Sequence, residues 1–205
     1  GDAAYETKVT DILCERGAQL IINISSSPFY VGKRFERERL VTEKATENGV
    51  PVFFVNLVGG QDELVFDGQS IGVSSTGALI ALGPQFEEAL LTVDLSMPDG
   101  TAPPIEEPPY DEDEEIFGAL VLGLRDYFRK TGFKRAILGL SGGIDSSVSA
   151  CIAAEALGPE NVIGVSMPSK YSSDHSKTDA QRLAENLGIK FLTVPIQKIV
   201  DTYHD

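Results

Sequence analysis

The sequence has little of what three classes of protein require. Its 205 residues include only two cysteines, too few for a disulfide framework. No apolar run approaches the roughly 20 residues of a membrane-spanning helix, so we expect no membrane partner. Lysine and arginine number 17 against 31 aspartates and glutamates, and the net charge is −14. Because nucleic-acid backbones require clustered basic residues, this balance argues against a nucleic-acid partner.

The remaining composition is typical of a folded cytoplasmic protein. Hydrophobic residues make up 42% of the chain, which is enough for one or two buried cores at this length. No signal peptide is recognisable, although the chain does not begin with methionine. We therefore expect a cytoplasmic location.

The most informative stretch lies between an apolar strand and a helix. It reads L-G-L-S-G-G-I-D-S-S over residues 138–147. Gly142 and Gly143 allow the backbone to turn and approach a ligand, and amides at the helix start favour an anion. Asp145 supplies an oxygen ligand suited to magnesium. The loop thus predicts a phosphate site, with further hydroxyl donors at Ser141, Ser146 and Ser147.

Two other phosphate motifs do not fit this loop. A Walker loop requires Gly-Lys-Ser/Thr, and no lysine occurs from Arg135 to Ser169. A dinucleotide fingerprint requires a third glycine after Gly139 and Gly142, and it is missing. One structural alternative stays open, because aspartate and serine also cap helices and the turn could serve only to start one.

Strand and helix patterns alternate after the loop. The first helix should place Val148, Ile152 and Ala156 inside, and a strand should follow at 161–166. A second helix over 176–187 and a strand over 189–194 complete the series. This order predicts a parallel sheet with the loop at the carboxyl ends of its strands. The expected inner positions of the second helix are Ala180, Leu183, Ala184 and Leu187.

The Ser-Gly-Gly-x-Asp-Ser order resembles the loop of the N-type ATP pyrophosphatases, and the M-P-S-K-Y-S-S-D-H-S segment at 167–176 resembles that of NAD synthetases, particularly the glutamine-dependent form. The first resemblance implies that the loop holds the β- and γ-phosphates of ATP, with magnesium as cofactor. The second implies that Met167 lies by the adenine. The ATP-binding residues implied are Gly139, Leu140, Ser141, Gly142, Gly143, Ile144, Asp145, Ser146 and Met167, and the metal ligand implied is Asp145.

The first half carries an independent resemblance. Residues 21–33, a charged helix over about 34–47 and the stretch 52–70, which includes G-G-Q-D-E-L-V-F-D-G, resemble the later half of a nitrilase-type glutaminase domain. The resemblance implies that Ser27 and Lys33 bind glutamine, and a lysine can pair with its carboxylate. Without the resemblance, the residues favour a turn serine and a solvated charge.

Short strands should complete the sheet of the first half. They are expected around Asn56, Phe66, 70–74, 78–81 and 89–95.

A proline-rich, aperiodic stretch separates the two halves. We predict a nitrilase-like glutaminase domain (C-terminal part) at 1–97, a linker at 98–111 and an NAD synthetase ATP pyrophosphatase domain (N-terminal part) at 112–205. The acidic run 111–115 suits the first turn of a helix. That helix should present an apolar face of Ile116, Leu120, Leu124 and Phe128.

The cysteines are interpreted as structural. The nitrilase-type amidase uses a Cys, a Glu and a Lys, which the resemblance implies lie upstream of Gly1. Cys14 should be a packed thiol on a helix whose Val9, Ile12 and Leu13 face a core, and Cys151 should also be in a core. We therefore expect an internal fragment that holds no catalytic residue and is inactive alone.

The fold class predicted is α/β: the C-terminal part of an α-β-β-α nitrilase-like sandwich, followed by the start of a parallel-sheet, Rossmann-like ATP pyrophosphatase domain. The resemblance implies ATP-driven amidation of deamido-NAD to NAD through an adenylated intermediate, with ammonia from glutamine and release of AMP, pyrophosphate and glutamate. Expected partners are glutamine, deamido-NAD and ATP, and the complete protein should be a homo-oligomer. The alternatives are another amidotransferase of the ATP pyrophosphatase class and a non-catalytic nucleotide-binding or assembly fragment.

Overall fold

A computed structural model describes residues 9–96, 105, 108–170 and 174–204. The chain divides into two compact units, Gly1–Ala119 and Leu120–Asp205. This division falls inside a helix, Glu112–Thr131, and thus after the predicted linker. Residues 98–104, 106 and 107 of that linker lie outside the described residues. The predicted domain bounds therefore stay a prediction.

The first unit is built on a mixed four-stranded sheet in the order β1-β2-β5-β6. Strands β1 and β2 are parallel, and the other two pairs are antiparallel. A separate antiparallel pair consists of β3 and β4. The elements are α1 (Val9–Glu15), β1 (Ile21–Ser25), α2 (Lys33–Asn48), β2 (Val52–Asn56), β3 (Val58–Gln61), β4 (Leu64–Asp67), β5 (Ile71–Val73) and β6 (Leu79–Leu82).

Helix α2 packs against this sheet through a narrow apolar stripe. Val41 and Ala45 are buried one turn apart, and they join the inward-facing side chains of β2 and β5. Arg34 and Arg37 are also buried on α2, although the helix is otherwise highly charged. The buried apolar cluster consists of Val41, Ala45, Val52, Phe54, Ile71 and Val73.

Two predictions for this unit are wrong. The stretch 89–95 forms no strand, and Leu90 within it is 95% exposed. Apolar alternation was insufficient there because a strand also needs a neighbour to bond, and no described strand pairs with it. Helix α1 buries no residue, so its apolar positions face no core, and Cys14 is only half-buried. It meets α2 through polar contacts: Asn48 Nδ2 donates to Asp11 Oδ1 at 3.1 Å, and Lys44 Nζ lies 4.0 Å from the same oxygen.

Helix α3 (Glu112–Thr131) forms where the acidic run predicts it, but its buried positions differ from the predicted face. Leu120 is exposed, whereas the buried residues of the helix are Glu115, Ala119, Val121, Leu122 and Asp126. A strict interval of four drifts about 40° around a helix at each step, while steps of four, three and four remain on one side. The predicted face is wrong at Leu120 because it repeated the interval of four, whereas Leu124 packs against the buried apolar cluster of the second unit as predicted.

The second unit is a three-stranded, wholly parallel sheet in the order β7-β8-β9, as predicted. Its elements are β7 (Ala136–Gly139), α4 (Ile144–Leu157), β8 (Val162–Ser166), α5 (Asp174–Leu187), β9 (Lys190–Thr193) and α6 (Gln197–His204). The buried apolar cluster consists of Leu140, Ala150, Ala153, Ala154, Val162, Ala180, Ala184 and Ile189.

The two long helices of this unit test the predicted inner faces. On α5, Ala180 and Ala184 are fully buried, and Leu183 and Leu187 pack against the core as predicted. On α4, Ala156 is buried as predicted, but the predicted Val148 is exposed and the buried face consists of alanines. Apolar residues surround α4 on most sides, so spacing alone did not identify the face that meets the sheet.

No helix in the described ranges combines the length and the apolar character needed to cross a membrane.

Candidate functional site

The loop between β7 and α4 is anchored at the carboxyl end of the parallel sheet. Leu140 is 1% exposed, and its amide donates to the carbonyl of Val165 on β8 at 2.8 Å. The loop therefore leaves the sheet where the strands of an open α/β fold end, which is where such folds bind ligands.

Gly142 brings this loop against the start of α5. Its φ is +83°, and a Cβ there would overlap the carbonyl oxygen of Ser176. A side chain would be strained by the left-handed backbone and would also collide with a backbone atom. Only glycine therefore fits this position without a shift of the loop or of α5.

Serine hydroxyls hold the loop in shape. Ser146 Oγ and Ser147 Oγ each donate to the Gly143 carbonyl at 2.9 Å, and Ser141 Oγ lies 3.1 Å from Ser146 Oγ. The Gly143 amide in turn donates to Ser141 Oγ at 3.2 Å. The predicted hydroxyl donors are thus brought together around one glycine.

The start of α4 shows whether aspartate or serine of the loop merely caps the helix. Gly143 is the N-cap residue, and no side chain makes a capping hydrogen bond to the helix. Asp145 lies exposed in the first turn rather than capping it. Capping by aspartate or serine therefore does not explain the loop. An uncapped helix start favours an anion, because its first amides are free to donate and the positive end of the helix dipole lies there.

Two further features belong to this end of the sheet. Met167 directly follows β8, is 51% exposed, and its Cε lies 3.3 Å from the position that a Cβ on Gly139 would take. The absence of a side chain on Gly139 thus makes room for Met167 beside the loop.

Asp145 is a suitable ligand for a magnesium ion that arrives with a nucleotide. Such ions are held by one or two carboxylates together with substrate phosphates. Within the described ranges, no group of three or more His, Cys, Asp or Glu residues could hold a metal by itself. The exposed carboxylate of Asp145 at the phosphate loop fits a site in which one carboxylate and the substrate phosphates share the magnesium ion.

In the first unit, Asn56 holds the backbone of Ser27 from both sides. Its Oδ1 accepts from the Ser27 amide at 2.9 Å, and its Nδ2 donates to the Ser27 carbonyl at 3.4 Å. Nδ2 also donates to Asp67 Oδ1 at 3.3 Å. Because a carboxylate only accepts, this bond fixes the orientation of the amide, with Nδ2 toward Asp67 and Oδ1 toward the Ser27 amide.

Lys33 reaches back to the same turn. Its Nζ donates to the Pro28 carbonyl at 2.6 Å and lies 4.9 Å from the centre of the Tyr30 ring. Burial lowers the pKa of Lys33, and the positive charge of Arg37 lowers it further. Since Pro28 follows Ser27 in the chain, the structure brings the two predicted residues to one turn.

Sequence reasoning missed the residues that support this turn. Asn56 and Asp67 each end an apolar strand, and Asp67 lies buried against Arg37. A polar residue that closes an apolar strand was the available signal. The two groups of predicted site residues, Ser27 with Lys33 and 139–146 with Met167, lie in different units.

Comparison with known families divides the chain in the same order. The carbon-nitrogen hydrolase family matches residues 5–103, and the NAD synthase family matches residues 116–205.

Curated relatives match nearly the whole chain. A glutamine-dependent NAD(+) synthetase from Synechocystis sp. is 49% identical over 99% of this chain, and one from Thermotoga maritima is 42% identical over 91%. The chain spans 37% and 38% of the length of these two proteins.

Solved structures agree with this comparison. The glutamine-dependent NAD+ synthetase from Acinetobacter baumannii, solved in complex with ADP, has a TM-score of 0.83 and 35% identity, over 94% of this chain and 37% of that chain. A second, from Cytophaga hutchinsonii, has a TM-score of 0.78 over 93% of this chain and 38% of that chain. Its identity of 24% supports the fold alone.

The fold and these matches define a mixed α/β protein in which a carbon-nitrogen hydrolase part precedes an NAD synthase part. This confirms the predicted fold class, a nitrilase-like part followed by the start of a Rossmann-like parallel sheet. The chain matches one family in each half and is similar over nearly its whole length to glutamine-dependent NAD(+) synthetases.

Proposed function

We propose that the complete protein is a glutamine-dependent NAD synthetase that converts deamido-NAD to NAD. The observation that carries this proposal is the 49% identity to such a synthetase over 99% of the chain, which includes both candidate sites. ATP, glutamine and deamido-NAD are the proposed substrates. AMP, pyrophosphate and glutamate are the proposed products besides NAD.

The chemistry explains why ATP is needed. A carboxylate is a poor acyl donor, so the nicotinate carboxylate of deamido-NAD first attacks the α-phosphate of ATP and releases pyrophosphate. Ammonia from glutamine then attacks the activated carbonyl and displaces AMP. Pyrophosphate leaves readily only when its charge is neutralised, and preorganised amides and a metal ion both supply that neutralisation.

In the second unit, the loop after β7 is proposed to hold the phosphates. The amides around Gly142, Gly143 and Ile144 would bind the β- and γ-phosphates, while Asp145 would hold magnesium, which supplies positive charge at the leaving group. Met167 would contact the adenine. The uncapped start of α4 and the close approach at Gly142 support these roles. The remaining proposed ATP-binding residues are Gly139, Leu140, Ser141 and Ser146.

In the first unit, Ser27 and Lys33 are proposed to bind glutamine. The ammonium group of Lys33 would pair with the carboxylate of glutamine, and Ser27 would orient its polar groups. The support is that Asn56 fixes Ser27 while Lys33 reaches the adjacent Pro28.

We also propose a cytoplasmic, homo-oligomeric protein, and sedimentation of the complete protein would test its oligomeric state.

The direct test is a reaction of the complete protein with deamido-NAD and magnesium-ATP, with either glutamine or ammonium as nitrogen donor. We expect NAD, AMP and pyrophosphate in equal amounts with both donors, and glutamate only with glutamine. ATP hydrolysis without NAD formation, or NAD formation with ammonium but none with glutamine, would contradict the proposal.

A further inference from the structure

The carboxylate of Glu115 is buried where three separate segments meet. Its side chain belongs to the first turn of α3 and is 3% exposed. Oε2 accepts from the Gly32 amide at 2.9 Å and from the Tyr110 hydroxyl at 3.1 Å, and Oε1 accepts from Gln85 Nε2 at 2.8 Å. Glu115 follows the carbon-nitrogen hydrolase match and directly precedes the NAD synthase match.

The Gly32 contact reaches the candidate glutamine site. Gly32 is the N-cap residue of α2, with φ +76°, and Lys33 is the first residue of that helix. A hydrogen bond to the Gly32 amide therefore restrains the backbone that carries Lys33. Without that bond, the amide would lose its recorded acceptor, and glycine offers little conformational resistance to movement.

A second set of contacts joins the same two segments. The ring of Tyr110 packs edge-on against Phe35 at 5.0 Å, and the guanidinium of Arg34 lies 5.5 Å from the centre of the Tyr110 ring. Phe35 and Arg34 belong to the first turn of α2. Residues 110–115 thus contact the start of α2 through both rings and hydrogen bonds.

The three recorded partners of Glu115 are neutral donors. Burying a carboxylate among neutral donors costs desolvation free energy, which its hydrogen bonds must offset, so such a group adds little net stability. It does hold its partners in a defined geometry, because charge-assisted hydrogen bonds are short and directional.

We propose that Glu115 is a positioning residue for the glutamine site, which fixes Gly32 and thereby the side chain of Lys33. Residues 110–115 then contribute to glutamine binding by the first unit, although they follow the residues that match the carbon-nitrogen hydrolase family. This inference rests on the proposed role of Lys33 in glutamine binding.

The test uses the complete protein with Glu115→Ala. We expect the KM for glutamine to rise roughly tenfold, as for loss of a charge-assisted hydrogen bond, while kcat with ammonium changes less than about twofold, since ammonium bypasses the glutamine site. Glu115→Gln should restore part of the affinity, because its carboxamide oxygen still accepts from Gly32. Glu114→Ala removes the same charge from the same turn but from an exposed side chain, and should leave both values unchanged.

A milder variant guards against loss of folding. Tyr110→Phe removes one of the three donors and keeps the ring, and it should raise the KM for glutamine about two- to fivefold. An unchanged KM in folded Glu115→Ala and Tyr110→Phe, or an equal loss with both nitrogen donors, would overturn the inference. The wild-type protein separates this result from failure of the proposed function, which would appear as no glutamine-dependent synthesis at all.

Discussion

Asp67 binds Arg37 through two parallel hydrogen bonds of 3.0 Å, one from each terminal guanidinium nitrogen. Both side chains are buried, and Asp67 is only 1% exposed. The same carboxylate accepts from Asn56, which holds the backbone of Ser27. The pair therefore connects helix α2, strand β4 and the candidate glutamine site.

Breaking this pair should strongly destabilise the first unit. Asp67→Ala leaves the guanidinium of Arg37 buried without its carboxylate, and we expect a loss of about 3–5 kcal/mol in the free energy of unfolding. Urea denaturation measures it. The matched control is Arg39→Ala, which breaks an exposed pair with Glu43 on the same helix. That control should change stability by less than about 1 kcal/mol. Similar effects of the two variants would contradict the special role of the buried pair.

Adjacent glycines of the phosphate loop should respond differently to alanine. Gly142→Ala places a side chain on a left-handed backbone and against the Ser176 carbonyl. We expect a loss of about 2 kcal/mol or more, of which the left-handed conformation accounts for roughly 1–2. Gly143 has φ −86°, and a Cβ there would meet only Ser141 Oγ, at 3.3 Å. Gly143→Ala should cost about 1 kcal/mol or less. Equal losses in thermal denaturation would show that the approach to α5 is not limiting.

Asp145→Asn should damage adenylation without damaging the fold. The side chain is exposed, and the substitution keeps its size while removing the charge that we propose to hold magnesium. In the complete protein we expect pyrophosphate release to fall about 100-fold or more, in line with loss of metal-assisted charge stabilisation. Glutamine hydrolysis should persist. Normal pyrophosphate release at low magnesium concentration would exclude the assignment.

Lys33→Ala should separate the two nitrogen donors. Loss of the cation that pairs with the glutamine carboxylate should raise the KM for glutamine roughly 10- to 100-fold, the effect of a charge-assisted hydrogen bond or two. Synthesis from ammonium should be retained, because that donor needs no glutamine site. A matched loss with both donors would identify Lys33 as structural.

The lowered pKa of Lys33 gives glutamine binding a pH dependence. Burial and the charge of Arg37 disfavour its cationic form, so the ammonium group loses its proton below the usual pKa of 10.5. The cation is present at lower pH and is lost as pH rises through the lowered pKa. The KM for glutamine should therefore increase toward alkaline pH. In Lys33→Arg, whose guanidinium stays charged, this increase should shift to higher pH. Identical profiles for the two proteins would contradict titration of Lys33.

The lowered pKa of Lys33 also makes stability depend on pH. Stability changes in the opposite direction to glutamine affinity. Between the folded and unfolded pKa values of Lys33, the unfolded chain binds more protons than the folded one. Linkage then requires the contribution of this group to stability to rise with pH across that window. The measurement is the urea midpoint of the wild type and of Lys33→Met from neutral to alkaline pH. The stability of the wild type relative to Lys33→Met should rise across that window.

Prediction from sequence was strongest where a local pattern is sufficient. Glycine spacing and hydroxyl residues located the loop after β7, and the alanines and leucines of α5 identified its buried face. It was weakest on α4, where apolar residues on most sides conceal the inner face, and over 89–95, where a strand pattern lacks a described partner strand. In both places the deciding interaction is with another element.

The sequence by itself determined the alternation of strands and helices after the phosphate loop, their parallel sheet and the resemblance to NAD synthetases, because these depend on spacing and residue type along the chain. Only the tertiary structure decided which distant residues support the candidate sites. Asn56 meets Ser27 across 29 positions, Asp67 meets Arg37 across 30, and Glu115 meets Gly32 across 83. No local pattern encodes such pairs, because a buried polar group takes whichever donor or acceptor the folded chain brings to it.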